Sequence, residues 1–313
     1  MLALRDKKIL VTGGTGFLGT HVVQALKDRG VPEKNIITPR HETHDLRDAV
    51  TCREVTKGID IIIHLAGITG DGQFHREHPA EIFFDNLAMG AELMEAARQN
   101  GVQKFVTAGS ITEYPERAPL PYREEDLWAG PVEELHEAYS VAKTMLLVQA
   151  QAYRAQYGFD AVHLLMTNMY GPGKEAVRGF VITNIIRRIL EAKRDGSSSI
   201  TLWGTGEPTR DFIFVKDAAE AFVLAAERYS RPEPVNIGSG WELSVKELAG
   251  TIAKLMDFHG EVKWDTTKPD GQSRRILDPG RAEREFGFRA KTALEDGLRE
   301  TIAWQEEQFT SET

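Results

Sequence analysis

A chain of 313 residues with 41% hydrophobic side chains can bury a large core, as one large α/β domain or a domain with an added lobe. Its formal charge of −9 argues against nucleic acid or an anionic membrane as the main partner, although local arginines can still hold an anionic ligand. The single cysteine, Cys52, excludes an internal disulfide and a cysteine-rich zinc site, so no metal site is read and a reducing compartment is expected. Residues 1–8 have no apolar leader core, and no stretch is long and apolar enough to cross a bilayer, so a soluble, cytoplasmic protein is expected.

Short apolar runs at residues 8–12, 35–38, 59–65, 104–107 and 161–165 read as strands. Helical patterns separate them at 17–29, 48–57, 79–100 and 137–157. Strands buried on both faces and alternating with helices predict a Rossmann-type, doubly wound parallel sheet. The alternation loosens after Asn168, where Gly171-Pro172-Gly173 breaks the chain. A helix at 180–193, strands at 199–202 and 211–215, and a helix at 216–228 follow. The predicted division is a nucleotide-binding domain over 1–168, with 207–238 returning to it. Residues 169–206 and 239–313 form a smaller C-terminal substrate-binding lobe, containing a strand at 235–237 near its junction, a helix from Ser244 and the segment 265–278.

The first strand runs directly into Gly13-Gly14-Thr15-Gly16-Phe17-Leu18-Gly19. Gly13 permits the tight turn, Gly16 lets the backbone approach a pyrophosphate, and Gly19 lets helix and strand pack closely. Amides and dipole at the helix N-terminus favour the phosphate charge. The turn therefore predicts a dinucleotide cofactor. An Asp or Glu at the end of the second strand would pair with the ribose hydroxyls of NAD, but the chain reads Ile37-Thr38-Pro39-Arg40-His41. Arg40 suits a ribose 2′-phosphate, which favours NADP(H) over NAD(H); the other reading is a solvated surface arginine. Asp45 and Leu46 fall near the adenine in this architecture, and Leu65, Ala66 and Gly67 bring backbone close to the cofactor. His64 reads as a packed strand-end histidine.

Tyr139 and Lys143 lie one helical turn apart on one face. An ammonium there is expected to lower the phenol pKa and hold the nicotinamide ribose, so that the tyrosine can exchange a proton with an alcohol or ketone oxygen. A hydroxyl at the end of the preceding strand completes the set, and Ser110 supplies it. Tyr-x-x-x-Lys can also be an ordinary helix face; the glycine turn upstream is what points to catalysis.

With these residues in place, the chain resembles the extended short-chain dehydrogenase/reductase family of nucleotide-sugar epimerases, dehydratases and ketoreductases. The likeness runs nearly end to end through Gly13 to Gly19, His64 to Gly67, Ser110 to Tyr114, Tyr139 to Lys143, Thr167 to Pro172, Trp203 to Gly206 and Arg210 to Ile213. Within the family it is most similar to the GDP-fucose synthase branch, which uses NADPH. That resemblance implies that Thr112, Asn168, Trp203, Arg210 and Arg275 face the nucleotide-sugar substrate, with Arg210 on a phosphate. Trp203 could instead pack the lobe. It also implies a homodimer through helices 79–100 and 137–157, whose apolar residues occupy more than one face.

The departures are informative. The branch carries a cysteine and a histidine, acid and base for epimerisation at C3 and C5, where this chain has Thr112 and Gly173. A threonine hydroxyl is a poor base and glycine offers none; Lys174 is a possible substitute for the histidine. Dehydratases and decarboxylases need a glutamate at the Thr112 position, and Glu113 is one residue displaced, expected to point to the other side of the chain. What remains is hydride transfer, expected at C4, ending either in net reduction of a keto sugar or in 4-epimerisation with retained NAD. A non-catalytic NADP-binding protein is disfavoured because both Tyr139 and Lys143 are present.

Overall fold

The computed structural model describes residues 2–173, 180–268 and 270–311. In the first half, β1 (Ile9–Thr12), α1 (Phe17–Asp28), β2 (Ile36–Ile37), α2 (Ala49–Val55), β3 (Ile61–His64), α3 (Gly72–Glu77), α4 (Pro79–Gln99), β4 (Lys104–Ser110), α5 (Glu137–Tyr157) and β5 (Ala161–Met166) alternate as the hydrophobic pattern predicts. The second half holds β6 (Asn168–Tyr170), α6 (Val181–Asp195), β7 (Ser199–Trp203), β8 (Thr209–Phe214), α7 (Val215–Arg228), β9 (Val235–Ile237), β10 (Glu242–Ser244), α8 (Val245–Leu255), β11 (Glu261–Asp265), β12 (Arg274–Arg275), α9 (Gly280–Phe286) and α10 (Leu294–Ser311).

Six strands form one parallel sheet in the order β2-β1-β3-β4-β5-β9. Its strands are apolar at successive positions because both faces are covered. Ile9, Val11, Ile61 and Ile63 face a core closed by α1 and α7, while Leu10 and Ile62 face the core of α2, α4 and α5. Each isoleucine fully buried in this way contributes roughly 1.5–3 kcal/mol relative to exposure. The doubly wound reading is therefore correct. The first crossover runs from β1 to β2 on one side, and the next runs from β2 back past β1 to β3 on the other, so a crevice opens beyond their C-terminal ends. Thr12, His64 and Ser110 end their strands on that edge.

The second core belongs to the lobe. Ile182, Ile185, Ile186 and Ile189 make a stripe on α6 that packs with Phe212 and Phe214 of β8, Leu248 and Ile252 of α8, and Leu298 and Ile302 of α10. β8 serves both cores: Ile213 points into the first and its two phenylalanine neighbours into the second. β8 pairs with β6, β10 and β12 rather than with the six-stranded sheet. Within 207–238, the return to the large sheet thus begins at α7 and is completed by β9. α9 also leaves the lobe, because Ala282, Phe286 and Phe288 join the first core. Among the described residues, no helix is long and apolar enough to cross a membrane.

Candidate active site

A cleft of about 800 Å³ opens at the strand ends and is lined by Gly13, Thr15, Gly16, Phe17, Leu18, Gly19, Leu46, Leu65, Ala66, Gly67, Tyr139 and Lys143, together with other residues. The glycines are sterically required. Gly13 has φ +65°, and a Cβ there would stand 2.9 Å from the Ala66 amide nitrogen. A Cβ on Gly19 would fall 1.9 Å from the Gly13 carbonyl oxygen. Thr12 secures the other wall: its Oγ1 accepts from the Leu65 and Ala66 amides, both at 3.2 Å, and bonds His64 Nδ1 at 2.8 Å. Burial, followed by the Lys143 charge, lowers the pKa of His64 to about 3, so it is a neutral packed residue. Asn86 fixes the next turn, its side-chain amide bonding both the N–H and C=O of Ile68. A backbone-lined cradle closed to a Cβ at Gly13 and Gly19 fits a dinucleotide pyrophosphate.

The loop after β2 is only partly as expected. Pro39, His41, His44, Leu46 and Arg47 line the cleft, whereas Asp45 and the exposed Arg40 are not among the lining residues. Arg47 is held by Asp45, at 2.7 Å, and by Asp85, at 3.0 Å. Those bonds to Arg47 hold Asp45 at about 2, well below the usual carboxylate range. Among the described residues, the Arg40 side chain makes no hydrogen bond or ion pair.

Tyr139 and Lys143 project from α5 into the cleft, with Lys143 Nζ 5.7 Å from the Tyr139 ring centroid. Burial lowers Lys143 to about 8, against the opposing pull of the Glu113 carboxylate. The phenol departs from expectation: burial and the Glu113 charge raise its pKa rather than lowering it. The Tyr139 phenol therefore keeps its proton. Ser110 ends β4, and Ala108 and Gly109 just before it line the cleft. Its Oγ accepts from the Thr112 amide at 3.2 Å and from Thr112 Oγ1 at 3.0 Å, which leaves the serine proton to donate elsewhere. The Thr112 hydroxyl is committed to Ser110. Glu113 does turn away from the cleft, into a buried contact with His163.

On the lobe side, Arg210 and Arg275 are register partners on parallel β8 and β12. Arg210 is lowered to about 10 by burial and then by the charge of Arg275. Arg275 is engaged by Gln272 and Glu133, and Glu133 also meets His136 at 2.7 Å. Arg275 is held by Glu133, and Arg210 feels both Glu133 and Asp270; paired guanidiniums of this kind can fork onto phosphate oxygens. His136 stacks edge-on to His75, 4.8 Å away, and His75 edge-on to Tyr139 at 5.8 Å, so the arginines and the tyrosine share one contact network. Trp203 is 64% exposed, with Lys268 Nζ 5.5 Å from its ring, which is not the burial of a packing aromatic. Asn168 is drawn inward instead, its amide donating to the Asp211 carbonyl at 3.0 Å. Gly173 borders Phe17, and Lys174 lies outside the described residues.

Sequence reading missed His41, His44, Arg47, Phe74 and Asp85 as cleft residues. Their loops carry no periodic signal, although the cluster His41-Glu42-Thr43-His44 is a polar concentration just beyond the second strand. It also missed His75 and His136, which only the packing of α3 on the start of α5 brings together.

Comparison with known proteins agrees with this geometry. The model of the NAD dependent epimerase/dehydratase family matches residues 9–238. GDP-L-fucose synthase 1 of Arabidopsis thaliana is 34% identical over 305 residues, 96% of this chain and 93% of that protein. GDP-L-fucose synthase of Sinorhizobium fredii is 35% identical over 95% of each chain. The structure of a GDP-L-fucose synthetase from Naegleria fowleri bound to NADP superposes with a TM-score of 0.87 at 26% identity, covering 99% of this chain and 97% of that one. A turn closed to a Cβ at Gly13 and Gly19, a facing Tyr–Lys pair and a family match across both place this chain in the NAD dependent epimerase/dehydratase family, the extended short-chain dehydrogenase/reductases.

Proposed function

We propose that this enzyme is an NADPH-dependent ketoreductase that transfers hydride at C4 of a GDP-activated keto sugar, without epimerising its neighbours. The observation that carries the reading is the pairing of Tyr139 and Lys143 across one cleft from the glycine turn, while Thr112 is bonded to Ser110. The relatives named as GDP-L-fucose synthases and the NADP-bound neighbour support the choice of nucleotide and cofactor.

A bound nicotinamide would supply the hydride. Gly13, Gly16 and Gly19 would hold its pyrophosphate through backbone amides, and Arg40 its 2′-phosphate. Ser110 donates a hydrogen bond to the sugar carbonyl oxygen and polarises it. Tyr139, kept protonated by burial, delivers the proton to that oxygen, and Lys143 binds the ribose and stabilises the phenolate left behind. Arg210 receives the diphosphate, with Arg275 fixed beside it by Glu133, and exposed Trp203 offers a flat face to the base. Thr112, through its bond to Ser110, acts on the substrate only indirectly.

A cytoplasmic homodimer belongs to the same reading. α4 and α5 pack side by side, yet leave Phe83, Phe84 and Val148 exposed, which favours a two-fold bundle covering them. Cys52 is buried, and that burial pushes its thiol up to about 12, which leaves it unreactive.

The test is a panel of GDP-, UDP- and dTDP-linked 4-keto sugars with NADPH or NADH in D₂O, followed by NMR of the products. The expected result is NADPH oxidation with a GDP sugar and no deuterium at C3 or C5. Deuterium at those carbons would refute simple reduction, and interconversion of C4 epimers without cofactor consumption would instead identify a 4-epimerase.

A further inference from the structure

A buried carboxylate that the mechanism above does not use sits behind the reacting side chains. Glu113 ends a 3-10 turn at Ile111–Glu113 and is 1% exposed. It accepts from the Ser110 amide at 2.7 Å and from Thr144 Oγ1, on the residue after Lys143, at 3.2 Å. It also meets His163 Nε2 of β5, at 3.2 Å through one oxygen and 3.1 Å through the other. Three elements of the site are thus tied to one side chain. Gly109 makes room for the pair: a Cβ there would lie 2.2 Å from His163 Nε2 and 2.5 Å from Glu113 Oε1. Burying an ion costs several kcal/mol, and an apolar residue would fill this space without that cost.

We propose that Glu113, held by His163, is a positioning residue that pins the Ser110 turn to α5 at Thr144 and so places an acidic side chain behind Lys143. The inference rests on the proposed hydride-transfer reading of Tyr139 and Lys143. Around these two groups lie His64 from β3 and His75 from α3, both held neutral by burial, with His136 behind His75 and His163 behind Glu113. Glu113 is the acidic side chain among them. It opposes the desolvation that draws Lys143 downward, and it also raises the Tyr139 phenol. Removing its charge therefore lowers both pKa values, and the alkaline limb of turnover moves to lower pH.

The experiment follows Lys143 directly in the full chain, by NMR of lysine labelled with ¹³C at Cε, its signal assigned by loss in Lys143→Arg. A titration near 8 in the parent is expected to fall by on the order of one pH unit in Glu113→Gln. NADPH affinity should then drop several-fold near pH 8.5 and stay unchanged near pH 6.5, where the ammonium persists in both. If Glu113→Gln does not fold, Glu113→Met with His163→Leu replaces the pair by apolar side chains, a change buried ion pairs commonly tolerate. The same fall is expected. An unmoved Lys143 titration in either folded variant overturns the proposal. Tyr139→Phe with undiminished turnover would overturn the hydride-transfer reading instead, and leave the lysine titration to be judged separately.

Discussion

The sharpest test of the cofactor assignment is Arg40→Ala. The loop from Pro39 to Arg47 offers two guanidiniums, and their surroundings distinguish them. Arg47 is bonded to Asp45 and Asp85, so it brings no net positive charge and ties the loop to α4. Arg40 is exposed and, among the described residues, has no partner to give up when a phosphate arrives. A hydrogen bond to a charged group contributes about 1.5–3 kcal/mol, or roughly a 10- to 150-fold change in affinity. Exposure and screening at physiological ionic strength trim this to the lower part of the range, about 10- to 30-fold. Fluorescence titration of the cofactor-free protein with NADPH and NADH measures both. Arg40→Ala should raise the NADPH dissociation constant by that factor, leave NADH within about twofold, and flatten the salt dependence of NADPH binding. Equal losses for both cofactors would refute the 2′-phosphate role. Arg47→Ala, by contrast, should weaken both, because it releases the loop.

Tyr139→Phe should reduce turnover by about 10²- to 10⁴-fold, the usual worth of a general acid, with NADPH affinity preserved; retained turnover in steady-state assays would remove the acid role. Gly19→Ala forces a Cβ to 1.9 Å from the Gly13 carbonyl oxygen, so the turn must open; calorimetry should find NADPH binding lost, and retained binding would contradict the cradle. Phe84→Glu introduces a charge on the 62%-exposed aromatic of α4 and should convert a dimer to a monomer in sedimentation at micromolar concentration; a parent that already sediments as a monomer would dispose of the four-helix interface.

Much of the fold was legible because parallel strands covered on both faces must be apolar at every position, and Ile61, Ile62 and Ile63 are. The glycine turn was legible because its constraints are local. The short lobe strands β10 and β11 carry no such run and are specified by their partners β8 and β7. The same division holds in the candidate site. Tyr139 and Lys143 share a helix face, so spacing alone brings them together. Nothing in sequence spacing joins Arg275 to Glu133, or His136 to His75, since each pair meets only when separate elements dock.

The phenol pKa illustrates the limit most clearly. A lysine one turn away argues for a depressed value, and on an isolated helix that argument would hold. In the folded chain, Lys143 Nζ stands 5.7 Å from the ring, while burial and the carboxylate of Glu113 act in the opposite sense. The net effect raises the phenol instead of lowering it, so the tyrosine keeps its proton rather than resting as a phenolate. Glu113 could be placed on the far side of the chain from sequence, but not against His163, because that contact crosses from the turn after β4 to the middle of β5. The residue that departs from a dehydratase by one position therefore does not lose its chemical role: it acts from behind the cleft, on the charge of Lys143, rather than on the sugar.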